Sequence, residues 1–143
     1  MPTVTDSVEM QTDRETLWDI LTDREKILQW FEGLDTCEPT PDYPNVGSMI
    51  KATYKVAGVS FAVTNTVKKV IPGQEIHYQM DGLISGTQDW VVSETANGLR
   101  LDFQSEYKMS VGVLGKIAEP VVQQMNITNS RKSMAKIKQL AEG

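Results

Sequence analysis

Residues 98–109 read GLRLDFQSEYKM. From Leu99 every second residue is apolar or aromatic, except for Ser105, and the residues between them are polar or charged. A period of two places alternate side chains on opposite faces of a β-strand, so the stretch predicts a long strand with one buried and one solvated face. The buried face needs another element to cover it, and the serine on that face needs a hydrogen-bond partner.

Other segments of the chain alternate in the same way: 3–10, 50–56, 59–67, 76–80 and 84–92, with a short strand expected near 35–38. Turn dipeptides separate most of them: Ala57-Gly58, Pro72-Gly73, Asp81-Gly82 and Asn97-Gly98. Strands joined by such tight turns form an antiparallel meander, and we expect six to seven strands in one curved sheet.

Two short helices are predicted after the first strand. Thr12 and Glu15 have the spacing of a capping box, which would begin the first helix. Asp23 can cap the second helix, and Gly33 is expected to end it. We place Trp18 in the core and expect Trp30 and Phe31 at the rim of any cavity.

One long helix is predicted over 114–141, and it is the element long enough to cover the sheet. We expect Leu99, Leu101 and Phe103 to face this helix. Its inward stripe is predicted to contain Ile117, Val121, Met125 and Thr128, with Asn129 beside it, and Ile127, Met134, Ile137 and Leu140 widen or continue that stripe. Gly112 and Gly115 precede the helix as a predicted hinge.

The composition is that of an ordinary globular protein, and we expect one domain over 1–143, an α+β fold. A net charge of −5 argues against nucleic acid as a partner, and no apolar run is long enough for an integral membrane segment. The single cysteine and the absence of a recognisable leader favour the cytoplasm. Residues 1–45 contain eleven acidic and three basic side chains, which leaves a basic protein partner possible.

Several stretches together resemble a known family: TDRETLWDILTD (12–23), WF (30–31), VG (46–47), GTQDW (86–90), NGLRL (97–101) and YKMSVGVLGK (107–116). The chain is similar to the START-like, helix-grip (SRPBCC) superfamily, which includes plant allergen-type lipid binders and polyketide cyclase/dehydrase-like proteins. The resemblance implies a curved sheet around the long helix, with a cavity between them for a hydrophobic small molecule. It implies a fold more strongly than a chemistry.

Polar side chains on the inward faces of the strands are the best lead to a site. Strand parity turns Asp6, Asn65, Gln88 and Ser105 inward together with three tyrosines, and each needs a partner, a water or a ligand. A mostly apolar pocket with a few converging polar groups is typical of small-molecule sites. The predicted ligand-binding residues are Tyr54, Phe61, Asn65, Tyr78, Met80, Gln88, Trp90, Phe103, Ser105, Tyr107, Val121 and Met125, and Met109 is a further candidate for the lining.

Covalent and metal chemistry find little support in the sequence. His77 is the only histidine and lies on the polar parity of its strand, and Cys37 has no evident base beside it. We therefore expect no metal and no cofactor. Three interpretations stay open: a binding protein for a hydrophobic or amphipathic small molecule, a cyclase- or dehydratase-like enzyme that uses the same pocket, and a regulator of a chaperone or ribosome.

Overall fold

The computed structural model describes residues 2–56, 58–110 and 118–143. The strands are β1 Thr3–Met10, β2 Leu34–Pro39, β3 Met49–Val56, β4 Val59–Ile71, β5 Glu75–Gly82, β6 Ile84–Thr95 and β7 Gly98–Met109. The helices are α1 Arg14–Thr22, α2 Arg24–Trp30 and α3 Glu119–Glu142. The predicted order of strand, two short helices, meander and long helix is confirmed.

The strands form one antiparallel seven-stranded sheet in the order β1-β7-β6-β5-β4-β3-β2. The sheet curves around α3, as the helix-grip prediction requires. At Gly86 in β6 the backbone approaches β7 so closely that an added Cβ would lie 2.0 Å from the carbonyl oxygen of Glu106, and φ is +141°, so the position requires glycine. Register shifts at Leu34/Thr36 and Val67/Lys69 add local twist.

The helix caps differ in one place from the prediction. Thr12 is wrong as the N-cap of α1: the cap is Asp13, whose carboxylate accepts the backbone N–H of Thr16 at 2.8 Å. The carboxylate also interacts favourably with the helix dipole, which a threonine hydroxyl does less well. Asp23 caps α2, as predicted, by accepting from the N–H of Lys26. Helix α2 ends at Trp30, and Gly33 lies in the following turn with φ +89°.

Helix α3 is rotated relative to the predicted stripe. Its buried residues are Val122, Ser133, Met134 and Ile137. Val121 is 48% exposed, so its predicted place on the inward face is wrong. Thr128 is also exposed, and Met125 is half-buried. Met134 and Ile137, which continue the predicted stripe, are buried as predicted. The phase is wrong only in the first half of the helix, where the inward stripe includes polar side chains. The predicted hinge glycines and Ile117 lie outside the described residues.

The core lies between the sheet and the helices. Leu99 and Leu101 belong to the same buried cluster as Met134 and Ile137 of α3, which confirms that β7 faces the long helix. Phe103 and Trp18 are partly buried and pack against that cluster. A second cluster surrounds Val122, the first buried residue of α3, and includes Phe61, Met80, Tyr107 and Met109. None of the helices in the described ranges combines the length and the apolar character that crossing a membrane requires.

Candidate functional site

A cavity of about 100 Å³ lies between the inner face of the sheet and α3, and we call it the main cavity. Its sheet-side wall is mostly apolar: Val4, Tyr54, Val63, Met80, Ile84, Gln88, Trp90, Phe103, Ser105 and Tyr107. Its helix-side wall is polar: Asn126, Asn129, Ser130 and Ser133. Phe31, Glu32, Gly33 and Lys55 complete the lining at the turn after α2 and at the end of β3. The main cavity is therefore amphipathic.

A smaller cavity of about 30 Å³ adjoins the main cavity, and we call it the inner chamber. The two spaces share Phe31, Tyr54, Gln88 and Trp90 in their linings. Asn65, Tyr78, Cys37 and Trp30 are among the residues that line the inner chamber alone. Trp30 is only 2% exposed, so its predicted position at the rim is wrong, whereas Phe31 does line the main cavity.

The structure brings most of the predicted ligand-binding residues to these two spaces. Tyr54, Met80, Gln88, Trp90, Phe103, Ser105 and Tyr107 line the main cavity, and Asn65 and Tyr78 line the inner chamber. Phe61, Val121, Met125 and Met109 line neither: Phe61 and Met109 are packed in the core, Met125 is partly buried against it and Val121 faces outward. A contact with ligand stays a prediction for every residue of the lining.

The polar side chains of the sheet wall have partners within the protein. Ser105 donates from Oγ to the carbonyl oxygen of Thr87 at 3.0 Å, which satisfies the hydroxyl without a ligand. Trp90 donates from Nε1 to Oε1 of Gln88 at 3.0 Å. The amide nitrogen of Gln88 has a weak contact to the Met80 sulfur at 4.0 Å, which leaves it able to donate to a bound molecule.

Buried and half-buried tyrosines supply neutral hydroxyl groups. The hydroxyls of Tyr43 and Tyr78 lie 2.5 Å apart, and Tyr107 donates to Oε1 of Gln123. Burial raises the pKa of Tyr43 and of Tyr54 to about 12, and it raises the pKa of Tyr78 well above 10. These phenols stay protonated at neutral pH, so they can donate a hydrogen bond to a carbonyl and cannot serve as phenolate bases.

Asn65 is the exception to the rule that buried polar atoms are paired. Its amide nitrogen donates to the Tyr54 hydroxyl at a long 3.4 Å. Its Oδ1 is buried and has no hydrogen-bond partner among the described residues. Such orphaned acceptors are rare in folded proteins and call for an explanation.

The turn after α2 is fixed on two sides at the edge of the main cavity. The Glu32 carboxylate pairs with the Lys136 ammonium at 2.5 Å, and the Glu32 backbone N–H donates to Oγ of Ser133 at 2.9 Å. The Gly33 carbonyl accepts from the N–H of Lys55 at 2.8 Å. The hydrogen bond from Lys136 lowers the pKa of Glu32 below its ordinary value of 4.5.

Sequence reasoning missed most of this helix wall. Asn126, Ser130 and Ser133 were not predicted, because polar residues on a helix usually mark its solvated face. Asp6, which was expected to point inward, accepts a hydrogen bond from Ser130 at 3.2 Å and does not line the main cavity. Extending the predicted stripe back from Ile137 at spacings of three and four residues, through Ser133 to Val122, would have indicated this wall.

Groups that could support nucleophilic or metal chemistry lie away from the main cavity. His77 lies on the outer face of the sheet, with Nδ1 2.7 Å from Asp89 and Nε2 3.2 Å from Glu75. Cys37 is buried in β2, and burial raises the pKa of its thiol to about 11. Within the ranges 2–56, 58–110 and 118–143, no three His, Cys, Asp or Glu side chains are grouped so that they could hold a metal ion.

Comparisons with known proteins agree with this architecture. No curated protein matches the sequence of the chain. The protein TTHA0849 from Thermus thermophilus has a similar structure, with a TM-score of 0.82, 12% identity and coverage of 98% of this chain and 97% of that chain. Protein CV1439 from Chromobacterium violaceum is similar with a TM-score of 0.73 and 15% identity, over 100% of this chain and 99% of that chain.

A further structural match is StfQ, a di-domain ARO/CYC protein from the steffimycin biosynthetic pathway. Its TM-score is 0.73 at 14% identity, and the match covers 97% of this chain and 50% of StfQ. At such identities these structures support the fold. A family model described as "Polyketide cyclase / dehydrase and lipid transport" matches residues 1–142. The chain therefore belongs to the polyketide cyclase/dehydrase and lipid transport family, as the resemblance to the helix-grip superfamily predicted.

Proposed function

We propose that this protein binds a small hydrophobic or amphipathic molecule in the main cavity. The observation that carries the proposal is the pairing of an apolar sheet wall with a polar helix wall around one space. In a close-packed core, other side chains would surround Trp90 and Phe103 on all sides. Here their side chains border a cavity of about 100 Å³. An apolar cavity of roughly 150 Å³ accepts benzene. The main cavity of about 100 Å³, with the inner chamber of about 30 Å³ beside it, therefore limits the ligand to about one ring.

The walls indicate how such a molecule would lie. Its apolar part would contact Met80, Trp90 and Phe103 on the sheet. Its polar groups would face the amides of Asn126 and Asn129 on α3. A one-ring compound has about ten heavy atoms, so we expect a Kd on the order of 10–100 µM for an unoptimised probe.

Binding can be tested with simple probes and freshly purified protein. Native mass spectrometry would detect a co-purifying compound, and calorimetry would measure binding of ethylbenzene, para-ethylphenol and octanoate. We expect saturable binding of at least one probe, accompanied by a change in tryptophan fluorescence because Trp90 lines the cavity. Failure of every probe to bind, together with the absence of any co-purifying compound, would refute the proposal.

A cyclase- or dehydratase-like reaction in the same cavity is the second candidate. The family description and the ARO/CYC match favour it. The neutral hydroxyl of Tyr54 is a group that can polarise a substrate carbonyl. Incubation with aromatic polyketide precursors should then give a product of altered mass, and Tyr54→Phe should slow its formation about a hundredfold or more. Bound precursor recovered unchanged would favour simple binding.

The proposal includes two expectations, a cytoplasmic location and a protein partner for the acidic N-terminal part of the chain. A cytoplasmic location would be checked by fractionating cells that express the full chain. A protein partner for the acidic residues 1–45 would be checked by pull-down with and without charge-neutralising substitutions there. A partner retained after neutralisation would count against a charge-driven contact.

A further inference from the structure

The inner chamber contains an uncompensated hydrogen-bond acceptor. Asn65 lies near the middle of β4, paired across the sheet with Ile50 on one side and Met80 on the other. It is 5% exposed, and its Oδ1 has no partner among the described residues. An amide oxygen in such apolar surroundings has lost its water without gaining a hydrogen bond.

Rotating the Asn65 amide does not remove the deficit. In the observed orientation Nδ2 donates to the Tyr54 hydroxyl, and the Tyr54 proton has no acceptor among the residues described. In the opposite orientation Oδ1 would accept from Tyr54, and the amide N–H groups would face the inner chamber unpaired. The observed orientation thus leaves two groups of the Asn65–Tyr54 pair without a partner, and the opposite orientation leaves the amide N–H groups without one.

The chamber is also uncharged. Burial keeps the nearby Tyr54, Tyr78 and Cys37 protonated, because it raises the pKa of each of these groups. No acidic or basic side chain is among the described residues that line this space. An ammonium or carboxylate group of a ligand would therefore find no counter-charge there. The desolvation cost for a neutral polar group that gains hydrogen bonds is much smaller.

In the observed orientation a hydroxyl group fits the two open hydrogen-bonding positions, Oδ1 of Asn65 and the proton of Tyr54, together. Its proton can be donated to Oδ1 of Asn65, and its oxygen can accept the proton of Tyr54. The inner chamber has a volume of about 30 Å³, which suits a hydroxyl group rather than a second ring. The lining residues shared with the main cavity, Phe31, Tyr54, Gln88 and Trp90, make the two spaces neighbours.

We propose that the inner chamber is a subsite for a phenolic or alcoholic hydroxyl of the ligand, with Asn65 as its acceptor and Tyr54 as its donor. This inference rests on the proposed function, since the apolar part of the same molecule would occupy the main cavity. The subsite selects ligands with a neutral hydroxyl at the inner end over ligands that are apolar or charged there.

The test compares para-ethylphenol with para-fluoroethylbenzene, which has nearly the same shape and no donor. Calorimetry would give both Kd values for the wild type and for Asn65→Leu. We expect the ratio of the two Kd values to change about tenfold between the proteins, because the substitution removes the acceptor. Thr64→Val, on the opposite face of the same strand, should leave the ratio as it is in the wild type.

A measurement on the wild type alone keeps the test decisive if Asn65→Leu does not fold. Para-ethylanisole replaces the hydroxyl proton by a methyl group, so it should bind at least about tenfold more weakly than para-ethylphenol. Equal or tighter binding of the ether would overturn the subsite. An unchanged Kd ratio in Asn65→Leu would overturn it too, and would indicate that a retained water satisfies Oδ1. In both cases binding itself would survive, whereas failure of all probes would remove the proposed function together with the subsite.

Discussion

Filling the main cavity from the sheet side should separate binding from stability. Val63 is 3% exposed, lines the cavity from β4, and has the small residues Ala52 and Gly82 as its cross-strand neighbours. Val63→Phe replaces an isopropyl group by a benzyl group that can extend into the empty space. The benzyl group adds four carbon atoms, and burying them stabilises the folded protein by about 3 kcal/mol, at about 0.8 kcal/mol per carbon. Overpacking costs about 1–3 kcal/mol.

The two contributions nearly cancel, so the free energy of unfolding should stay within about 2 kcal/mol of the wild type. The ring would occupy much of a space of about 100 Å³, and para-ethylphenol should bind more than about tenfold more weakly. Urea denaturation and calorimetry measure the two effects. Ala62→Phe is the matched control, because Ala62 is exposed on the outer face of β4.

Two results would refute this reasoning. Unchanged affinity in Val63→Phe would place the ligand elsewhere than in the main cavity. A loss of stability well beyond about 3 kcal/mol, larger than overpacking of an existing void explains, would mean that the space is already closed to added volume.

Three further outcomes are expected. Ser105→Ala removes one hydrogen bond to the backbone and should lower the free energy of unfolding by about 1 kcal/mol or less. Because that hydroxyl is already paired, probe affinity should change by less than about threefold, and a larger loss of affinity in calorimetry would show that the ligand uses Ser105. The lowered pKa of Glu32 means that its pairing with Lys136 stabilises the protein above the ordinary pKa of 4.5 and is lost as the pH falls through the lowered value. The free energy of unfolding should therefore decrease by up to about 1 kcal/mol when acid protonates Glu32 and breaks this pair. Lys136→Met should abolish that decrease. Burial raises the pKa of Tyr43 and of Tyr54 to about 12, so the folded protein keeps these phenolic protons at pH values where the unfolded chain loses them. The free energy of unfolding should therefore be unaffected by these groups below pH 10 and should fall as the pH rises from 10 toward 12. Tyrosinate absorbance near pH 10 from these two residues in the folded protein would contradict this.

The strands could be predicted from sequence because a period of two is unambiguous over long segments. The alternation of 98–109 matches the burial of β7, and the turn glycines match the ends of the hairpins. Met109 at the end of β7 is buried as parity requires, although it lines neither cavity. Parity fixes the face of a side chain and says nothing about whether that face is packed or hollow.

The first half of the long helix shows where the same reasoning fails, whereas Met134 and Ile137 in its second half are buried as predicted. An amphipathic stripe is normally assigned by its apolar residues, which favoured Val121 and Met125. The actual inward stripe begins with Val122 and continues through Asn126, Ser130 and Ser133, which face the cavity or the turn after α2. A helix that borders a polar-walled cavity breaks the rule that connects polarity with solvent, so hydrophobicity alone cannot give its rotation.

The polar side chains on the inner face of the sheet were expected to need partners, waters or a ligand, and the structure distinguishes among these possibilities residue by residue. Ser105 bonds to the neighbouring strand, Tyr107 bonds to α3, and Tyr78 bonds to Tyr43. Asn65 alone retains a buried acceptor without a partner in the described part of the chain. The residue types were visible in the sequence, but hydrogen-bond pairing depends on distances between strands that no pattern of residues encodes. With Ser105 paired, the inward polar side chain that still needs a hydrogen-bond donor is Asn65 in the inner chamber.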